Sequence, residues 1–208
     1  MAYTDFTLEA ALERFDLHVQ VQSLFADTKK MPMPDHILAF IEAGFPLAVR
    51  GGSEKARSEF IVAPMLLAVR VLLEQRIMIH SGLRFDVDKK AGLVGECDFL
   101  VSSGNNFPML VNSAVLSIVE AKKQDIELGL GQCIAQMVAA QQFNTRKKHA
   151  LPRVYGCVTN AESWQFLALE GTELMFDAER YSITLQNLAL DTAVLLGVFK
   201  TMLEPLLQ

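Results

Sequence analysis

The sequence lacks several features that would assign it to a protein class at once. Among its 208 residues no apolar run approaches the roughly 18 residues that a membrane-spanning helix needs. Its first residues, MAYTDFTLEAALERF, include acidic side chains where a secretory signal carries a basic region and then an apolar one. Neither a GxxxxGK[ST] phosphate loop nor a GxSxG nucleophile motif occurs. We therefore expect a cytoplasmic protein with no membrane segment, which is neither a P-loop nucleotidase nor a serine hydrolase.

Cysteine and positive charge are also scarce. The three cysteines, Cys97, Cys133 and Cys157, lie far apart in apolar surroundings, which favours buried reduced thiols over a zinc site or disulfide. The net charge of −5 disfavours tight non-specific binding to nucleic acid, which normally needs a basic surface. A nuclease is still compatible with this charge, because a metal site adds carboxylates and its cation reverses the local potential.

Apolar residues, by contrast, make up 51% of the chain and supply ample material for a core. Residues 1–50 are expected to form a helical N-terminal extension, packed as one unit on a domain of residues 51–208. Gly44 is expected to end the second helix, and Pro64 to kink or split the third. The pattern predicts helices at 5–16 (capped by Asp5 or Thr4), 35–44 and 54–75 (capped by Ser53), strands at 77–87, 93–102 and 114–122, a helix at 125–143, strands at 153–160 and 163–170, and a helix at about 187–204. This order predicts an α/β fold with a mixed central sheet and helices on both faces.

Charged residues interrupt two of these apolar strands. Alternation along residues 114–122 predicts that Leu116, Ile118, Glu120 and Lys122 share one face. Asp98 lies inside the apolar run ECDFLV, so it meets Glu120 if the two strands are neighbours. Two carboxylates with open coordination positions suit Mg²⁺ or Mn²⁺, and Lys122 would stabilise negative charge beside such a site. A structural ion pair at a sheet edge explains the short E-x-K spacing equally well.

The order of four motifs between about residues 53 and 170 narrows this choice. They are a helix with an early Glu (SEKARSEFIVAPMLL), a strand with Asp (GLVGECDFLV), a strand with E-x-K (LSIVEAKK) and a helix with Gln (GLGQCIAQMVAAQQFN). This order resembles the PD-(D/E)XK nuclease superfamily, and especially the N-terminal nuclease domain of type I restriction enzyme motor subunits and small stand-alone relatives. The chain departs from the family pattern at Gly95–Glu96–Cys97, where the Pro of the family's name is missing.

The resemblance implies a restriction-endonuclease-like three-layer α/β/α fold with N- and C-terminal helices, and a Mg²⁺- or Mn²⁺-dependent endonuclease acting on nucleic acid, DNA above all. Asp98 and Glu120 would hold the metal together with the main-chain carbonyl of Ala121. Lys122 would be the catalytic lysine and Gln132 the helix glutamine, with Gln136 one turn later. The first-helix acid is either Glu54 or Glu59. A catalytically silent binding or assembly module of the same fold is the alternative.

Several other residues leave two readings open. The basic cluster that includes Arg146, Lys147 and Lys148 is either a solvated helix end or a contact for nucleic-acid phosphates. His80 is either a packed strand residue or an assisting group. The apolar C-terminal helix belongs either to the core or to the face of a homodimer.

Overall fold

The computed structural model describes residues 1–50, 52–104, 113–122, 125–149 and 151–207. In these ranges the α-helices are α1 (Leu8–Phe15), α2 (Asp35–Arg50), α3 (Glu54–Arg57), α4 (Ala63–Leu72), α5 (Glu127–Arg146) and α6 (Leu188–Leu203). The strands are β1 (His18–Gln22), β2 (Ile77–Arg84), β3 (Glu96–Ser103), β4 (Val115–Ala121), β5 (Val154–Thr159), β6 (Ser163–Glu170) and β7 (Glu173–Ser182).

The strands of the described residues form one mixed sheet in the order β1-β7-β6-β5-β4-β3-β2. Strands β2, β3 and β4 are antiparallel neighbours. Strand β5 lies parallel to β4, and α5 connects these two strands along the chain. Strands β5, β6 and β7 continue antiparallel, and β1 closes the other edge parallel to β7. The sheet therefore places the two strands that carry Asp98 and Glu120 side by side.

Two apolar clusters, one on each side of the sheet, confirm the predicted three-layer α/β/α fold. One cluster packs α2, α4 and α6 against sheet side chains such as Val101, Trp164 and Phe166. The other packs α1 and α5 against Leu100, Ile118 and their neighbours. Trp164 is fully buried in the first cluster, where its indole N–H donates to the Ala161 carbonyl over 3.0 Å.

The helix ends differ from those expected. The first helix begins at Leu8 rather than residue 5, because the hydroxyl of Thr7, not Asp5 or Thr4, accepts the free N–H of Ala10. The second helix passes through Gly44 and ends only at Arg50. Gly44 serves close packing instead, since a Cβ there would lie 2.9 Å from the Cβ of Phe60.

The predicted third helix is split, as Pro64 suggested. Ser53 caps α3 by accepting the N–H of Ala56 at 3.1 Å, which confirms the predicted cap. A π-helical turn, Ser58–Val62, then precedes α4, and Pro64 falls in the first turn of that helix, where its missing N–H is tolerated.

The first 50 residues are not purely helical, so that prediction was wrong. They contribute β1, which hydrogen-bonds to β7, and neither strand was predicted. The alternation of β1 is uninformative because all five of its residues are exposed. The expected boundary at residue 51 lies outside the described residues.

The predicted face of β4 is wrong at one position. The register between β3 and β4 shifts between Val101 and Ser102, so Leu116 packs into the cluster with α4 and α6, whereas Ile118 packs against α5. A β-bulge of this kind reverses the alternation. Asn144 of α5 secures the start of β4, because its amide accepts the N–H and donates to the carbonyl of Val115, both at 2.8 Å.

The C-terminal helix belongs to the core, with Leu195, Phe199 and Met202 fully buried. All three cysteines are buried and free, as predicted. Among the described residues, no helix is long and apolar enough to cross a membrane.

Candidate metal-dependent active site

Strands β3 and β4 separate where their charged residues begin. Their last paired residues are Phe99 and Val119, one position before Asp98 and Glu120. Beyond that point, Asp98 Oδ2 accepts the backbone N–H of Ala121 at 2.8 Å. The carboxylate thus takes over a donor that the strand ladder no longer uses, and the two acids lie where the strands separate.

Glu120 is the most buried member of the site, with 1% of its surface exposed. Its Oε1 accepts from the Lys122 ammonium at 2.7 Å, whereas Oε2 is buried with no hydrogen-bond partner among the described residues. Burial, and then the charge of Asp98, raise the pKa of Glu120 to about 8 against the opposing effect of Lys122. An unpaired buried carboxylate oxygen is costly, so the site is incomplete as it stands.

Asp98 shares this electrostatic environment. Its burial raises its pKa, while the N–H of Ala121 and the charge of Lys122 act in the opposite direction. Burial lowers the pKa of the Lys122 ammonium, but the charges of Glu120, Glu54 and Asp98 outweigh this and raise it above its usual value. Two acids and one lysine therefore form a coupled group.

Helix α5 fixes the position of the lysine. Lys122 Nζ donates to Gln132 Oε1 at 3.2 Å, in addition to Glu120. The stem of Lys122 crosses the first turn of α5 at Gly129, where a Cβ would lie 2.9 Å from Lys122 Cε and 2.7 Å from Val158 Cγ1. Gly129 was not among the predicted site residues, although a glycine inside a helical pattern can signal tight packing.

A second glutamine adds to the polar lining of the site. One turn after Gln132, the fully buried Gln136 donates from Nε2 to the carbonyl of Glu96 at 3.3 Å. Its Oε1 is buried without a hydrogen-bond partner in the described part of the chain. The contacts of Gln132 and Gln136 therefore connect α5 both to β3 and to the end of β4.

The structure separates the two candidates for the first-helix acid. Glu54, directly after the Ser53 cap, is close enough to raise the pKa of Lys122. Glu59 is 57% exposed and pairs with Lys55 at 3.7 Å. Both acids line an open pocket of about 390 Å³ that also contains Asp98 and Glu96. The electrostatic contact with Lys122 therefore makes Glu54 the stronger candidate for the acid of the site.

Arg57 is a residue of this region that sequence reasoning missed. It is only 7% exposed, and its guanidinium donates to the carbonyl of Asn160 and to Glu162, the latter at 3.1 Å. Asn160 follows Thr159, whose carbonyl accepts the N–H of Lys122 at 2.7 Å. Arg57 thus fastens the helix that carries Glu54 to the turn beside the lysine.

Other candidate residues lie outside this group. His80 is buried on β2, where Nε2 is 3.1 Å from Ser102 Oγ, consistent with a packed residue. Arg146, Lys147 and Lys148 lie at the opposite end of α5 from Gln132, and all three are exposed.

The oxygen donors of these residues suit a hard divalent cation, but they are fewer than a complete set of protein ligands. In the described ranges, no group of three or more His, Cys, Asp or Glu side chains is arranged to hold a metal ion. Two carboxylates and a main-chain carbonyl form a smaller donor set, which suits Mg²⁺ because this ion keeps several of its waters. The unpaired Oε2 of Glu120 provides an oxygen ready for such an ion.

Comparison with known proteins adds no relative: no family model matches the chain, and a search of curated proteins found no match.

Proposed function

We propose that this chain is a metal-dependent nuclease that hydrolyses phosphodiester bonds of nucleic acid, with DNA as the expected substrate. The observation that supports this most is the meeting of Asp98, Glu120 and Lys122 where β3 and β4 diverge, around a buried carboxylate oxygen that has no hydrogen-bond partner in the described part of the chain. A structural ion pair alone would not need that oxygen buried. The order of elements also agrees with the resemblance to PD-(D/E)XK nucleases.

Asp98 and Glu120 would hold Mg²⁺ or Mn²⁺, with the carbonyl of Ala121 as a further ligand. The ion, when bound, would polarise the phosphate and lower the pKa of a coordinated water. Asp98 and Glu120 must both be ionised to bind it, which a divalent charge favours.

Lys122 would act through its charge. Its ammonium is held by Glu120 and Gln132 beside the two acids, and 19% of the side chain is exposed. There it would orient the attacking water and neutralise negative charge that develops on the phosphate oxygens. Glu54, close to Lys122, would keep the ammonium directed into the site.

A binding or assembly module is the second candidate. Lys122 already satisfies Glu120 Oε1 at 2.7 Å without a metal, which is the arrangement of a structural ion pair. Under either function we place the protein in the cytoplasm, where its buried thiols would stay reduced, and allow for a homodimer.

The deciding experiment is cleavage of labelled single- and double-stranded DNA and RNA in Mg²⁺ or Mn²⁺. Wild type should cleave at least one substrate, while Asp98→Ala and Lys122→Ala should lose cleavage. Lys200→Ala, which removes a partly buried ion-pairing lysine on α6, is the matched control and should cleave normally. Failure of the wild type to cleave any substrate or to bind a divalent ion would overturn the nuclease proposal in favour of the binding module.

The same assay tests the choice between the two acids. We expect Glu54→Gln to lower the cleavage rate and Glu59→Gln to leave it near the wild-type value. The reverse pattern would assign the role to Glu59.

A further inference from the structure

Exposed basic side chains from three distant segments gather at the C-terminal end of α5. Arg146 donates to the carbonyl of Val87 at 2.6 Å and lies 3.7 Å from Asp88, in the turn between β2 and β3. From α1, Arg14 reaches the carbonyl of Lys90 in the same turn at 3.5 Å. We call this surface the basic patch; its members, all exposed, are Arg14, Lys89, Lys90, Arg146, Lys147 and Lys148.

The fold builds this patch, since the sequence alone joins only three of its members. The Phe85 and Phe143 rings, 5.5 Å apart, pack the β2–β3 connection onto α5. The patch holds six of the chain's 19 basic residues although the whole chain carries a net charge of −5. Positive charge is therefore concentrated here rather than spread over the surface.

Acidic neighbours leave the patch positive. Asp86 pairs with Arg84 at 2.8 Å, and Asp88 pairs with Arg146 at 3.7 Å. Glu13 is exposed beside Arg14 on α1. Lys89 and Lys90 extend from the turn as exposed cations, and their backbone is ordered because Asp88 accepts the N–H of Lys90 at 2.9 Å.

The patch lies at a defined distance from the candidate active site. Gln132, which holds Lys122, and Arg146 are on the same helix. Their separation of 14 positions corresponds to about 21 Å at 1.5 Å per residue. Successive phosphates of one DNA strand follow at about 3.4 Å along the duplex axis, so this distance spans roughly six base pairs.

We propose that the basic patch binds the backbone of duplex DNA about six base pairs from the phosphate held at Asp98 and Glu120. The inference rests on the proposed nuclease function for its choice of ligand. Contacts with phosphates fix register and carry no sequence information, so the patch would position the duplex without selecting a sequence.

Two separate pairs of sequence-adjacent lysines provide a matched test. Lys89→Glu/Lys90→Glu alters the patch, whereas Lys29→Glu/Lys30→Glu makes the same charge change at exposed lysines beside α6. Binding is measured by fluorescence anisotropy in EDTA, which prevents cleavage, with a labelled duplex of roughly 20 base pairs, about two helical turns. Unfolding in urea checks that both variants remain folded, and Lys147→Glu/Lys148→Glu provides a second patch variant.

We expect K89E/K90E to raise the Kd roughly tenfold and to reduce the slope of log K against log salt by about two, since two phosphate contacts are lost. K29E/K30E should change the Kd less than about twofold. A hairpin with a stem of about four base pairs, too short to reach both places, should bind the wild type more weakly than the long duplex does. Equal effects of the two lysine pairs, or no duplex binding by the wild type at low salt, would overturn the proposal.

Asp98→Ala separates this inference from the nuclease proposal. It should abolish cleavage in Mg²⁺ while leaving patch-dependent binding in EDTA intact. Patch-dependent binding by a wild type that cleaves nothing would support the patch and refute the nuclease. If the wild type cleaves DNA and K89E/K90E leaves duplex binding unchanged, the nuclease proposal is supported and the patch proposal is refuted.

Discussion

Replacement of Glu120 by Gln should change how the stability of the metal-free protein depends on pH. Glu120 is 1% exposed, and burial together with Asp98 raises its pKa from 4.5 to about 8 in the folded chain. In the unfolded chain the carboxyl returns to its ordinary pKa. Between these two values the folded protein binds a proton that the unfolded protein releases, so folding loses free energy as pH rises.

The size of the effect follows from the same two values. Below pH 4.5 the glutamate is protonated in both states and does not lower the free energy of unfolding. Above about pH 8 it lowers that free energy by the full amount. A rise from 4.5 to about 8 corresponds to an upper limit of roughly 5 kcal/mol, or a little over about 1 kcal/mol per pH unit across the window. Glutamine keeps the shape of the side chain and does not titrate, so Glu120→Gln should remove this slope.

The assay is urea unfolding at pH 5, 6, 7 and 8 in EDTA, analysed as the difference between wild type and Glu120→Gln. The difference removes the contributions of acids that the two proteins share, apart from Asp98, whose pKa the side chain of Glu120 lowers in the wild type. The variant should gain stability relative to wild type as pH rises. Parallel pH profiles for the two proteins would refute the assignment of a buried, strongly perturbed carboxyl to Glu120.

Two further predictions concern the elements that position the site. Gly129→Ala should place a methyl group against Lys122 and Val158, costing about 1–3 kcal/mol in urea unfolding and lowering cleavage by displacing the lysine; wild-type cleavage and stability in this variant would contradict the packing. Asn144→Ala should leave the N–H and carbonyl of Val115 unpaired and cost about 2–4 kcal/mol in the free energy of unfolding. Gln141→Ala, an amide removed from the same helix without such bonds to β4, is its control, and an equal loss in the two variants would argue against the Asn144 bridge.

The sequence predicted those parts of the fold where local pattern and tertiary structure agree. Strands β2 to β6 and helix α5 are long and apolar, so their periodicity and bordering turns define them. Ser53 and Pro64 also acted through local backbone chemistry, as a cap and as a break. Edge strand β1 could not be found this way, because its residues are exposed on both faces and its pairing with β7 is decided by residues 155 positions away.

The candidate site shows a similar division. Spacing brought Glu120 and Lys122 onto one strand, but it assigned Leu116 to their face because a bulge leaves no mark on alternation. Arg57 gave no signal either, since a charged residue on a short helix is ordinarily solvated. Its burial depends on the turn after β5, which approaches α3 only in the folded chain.

The arrangement of Glu120 argues against a purely structural role for the E-x-K motif. A structural ion pair gains most when both carboxylate oxygens are hydrogen-bonded, yet Oε2 is buried without a partner among the described residues and Asp98 adds a second negative charge nearby. An apolar side chain at this position would stabilise the metal-free fold more than the glutamate does. Local choices that oppose folding are expected where a ligand completes the site, and a divalent cation between Asp98 and Glu120 would supply both the missing partner and the opposing charge.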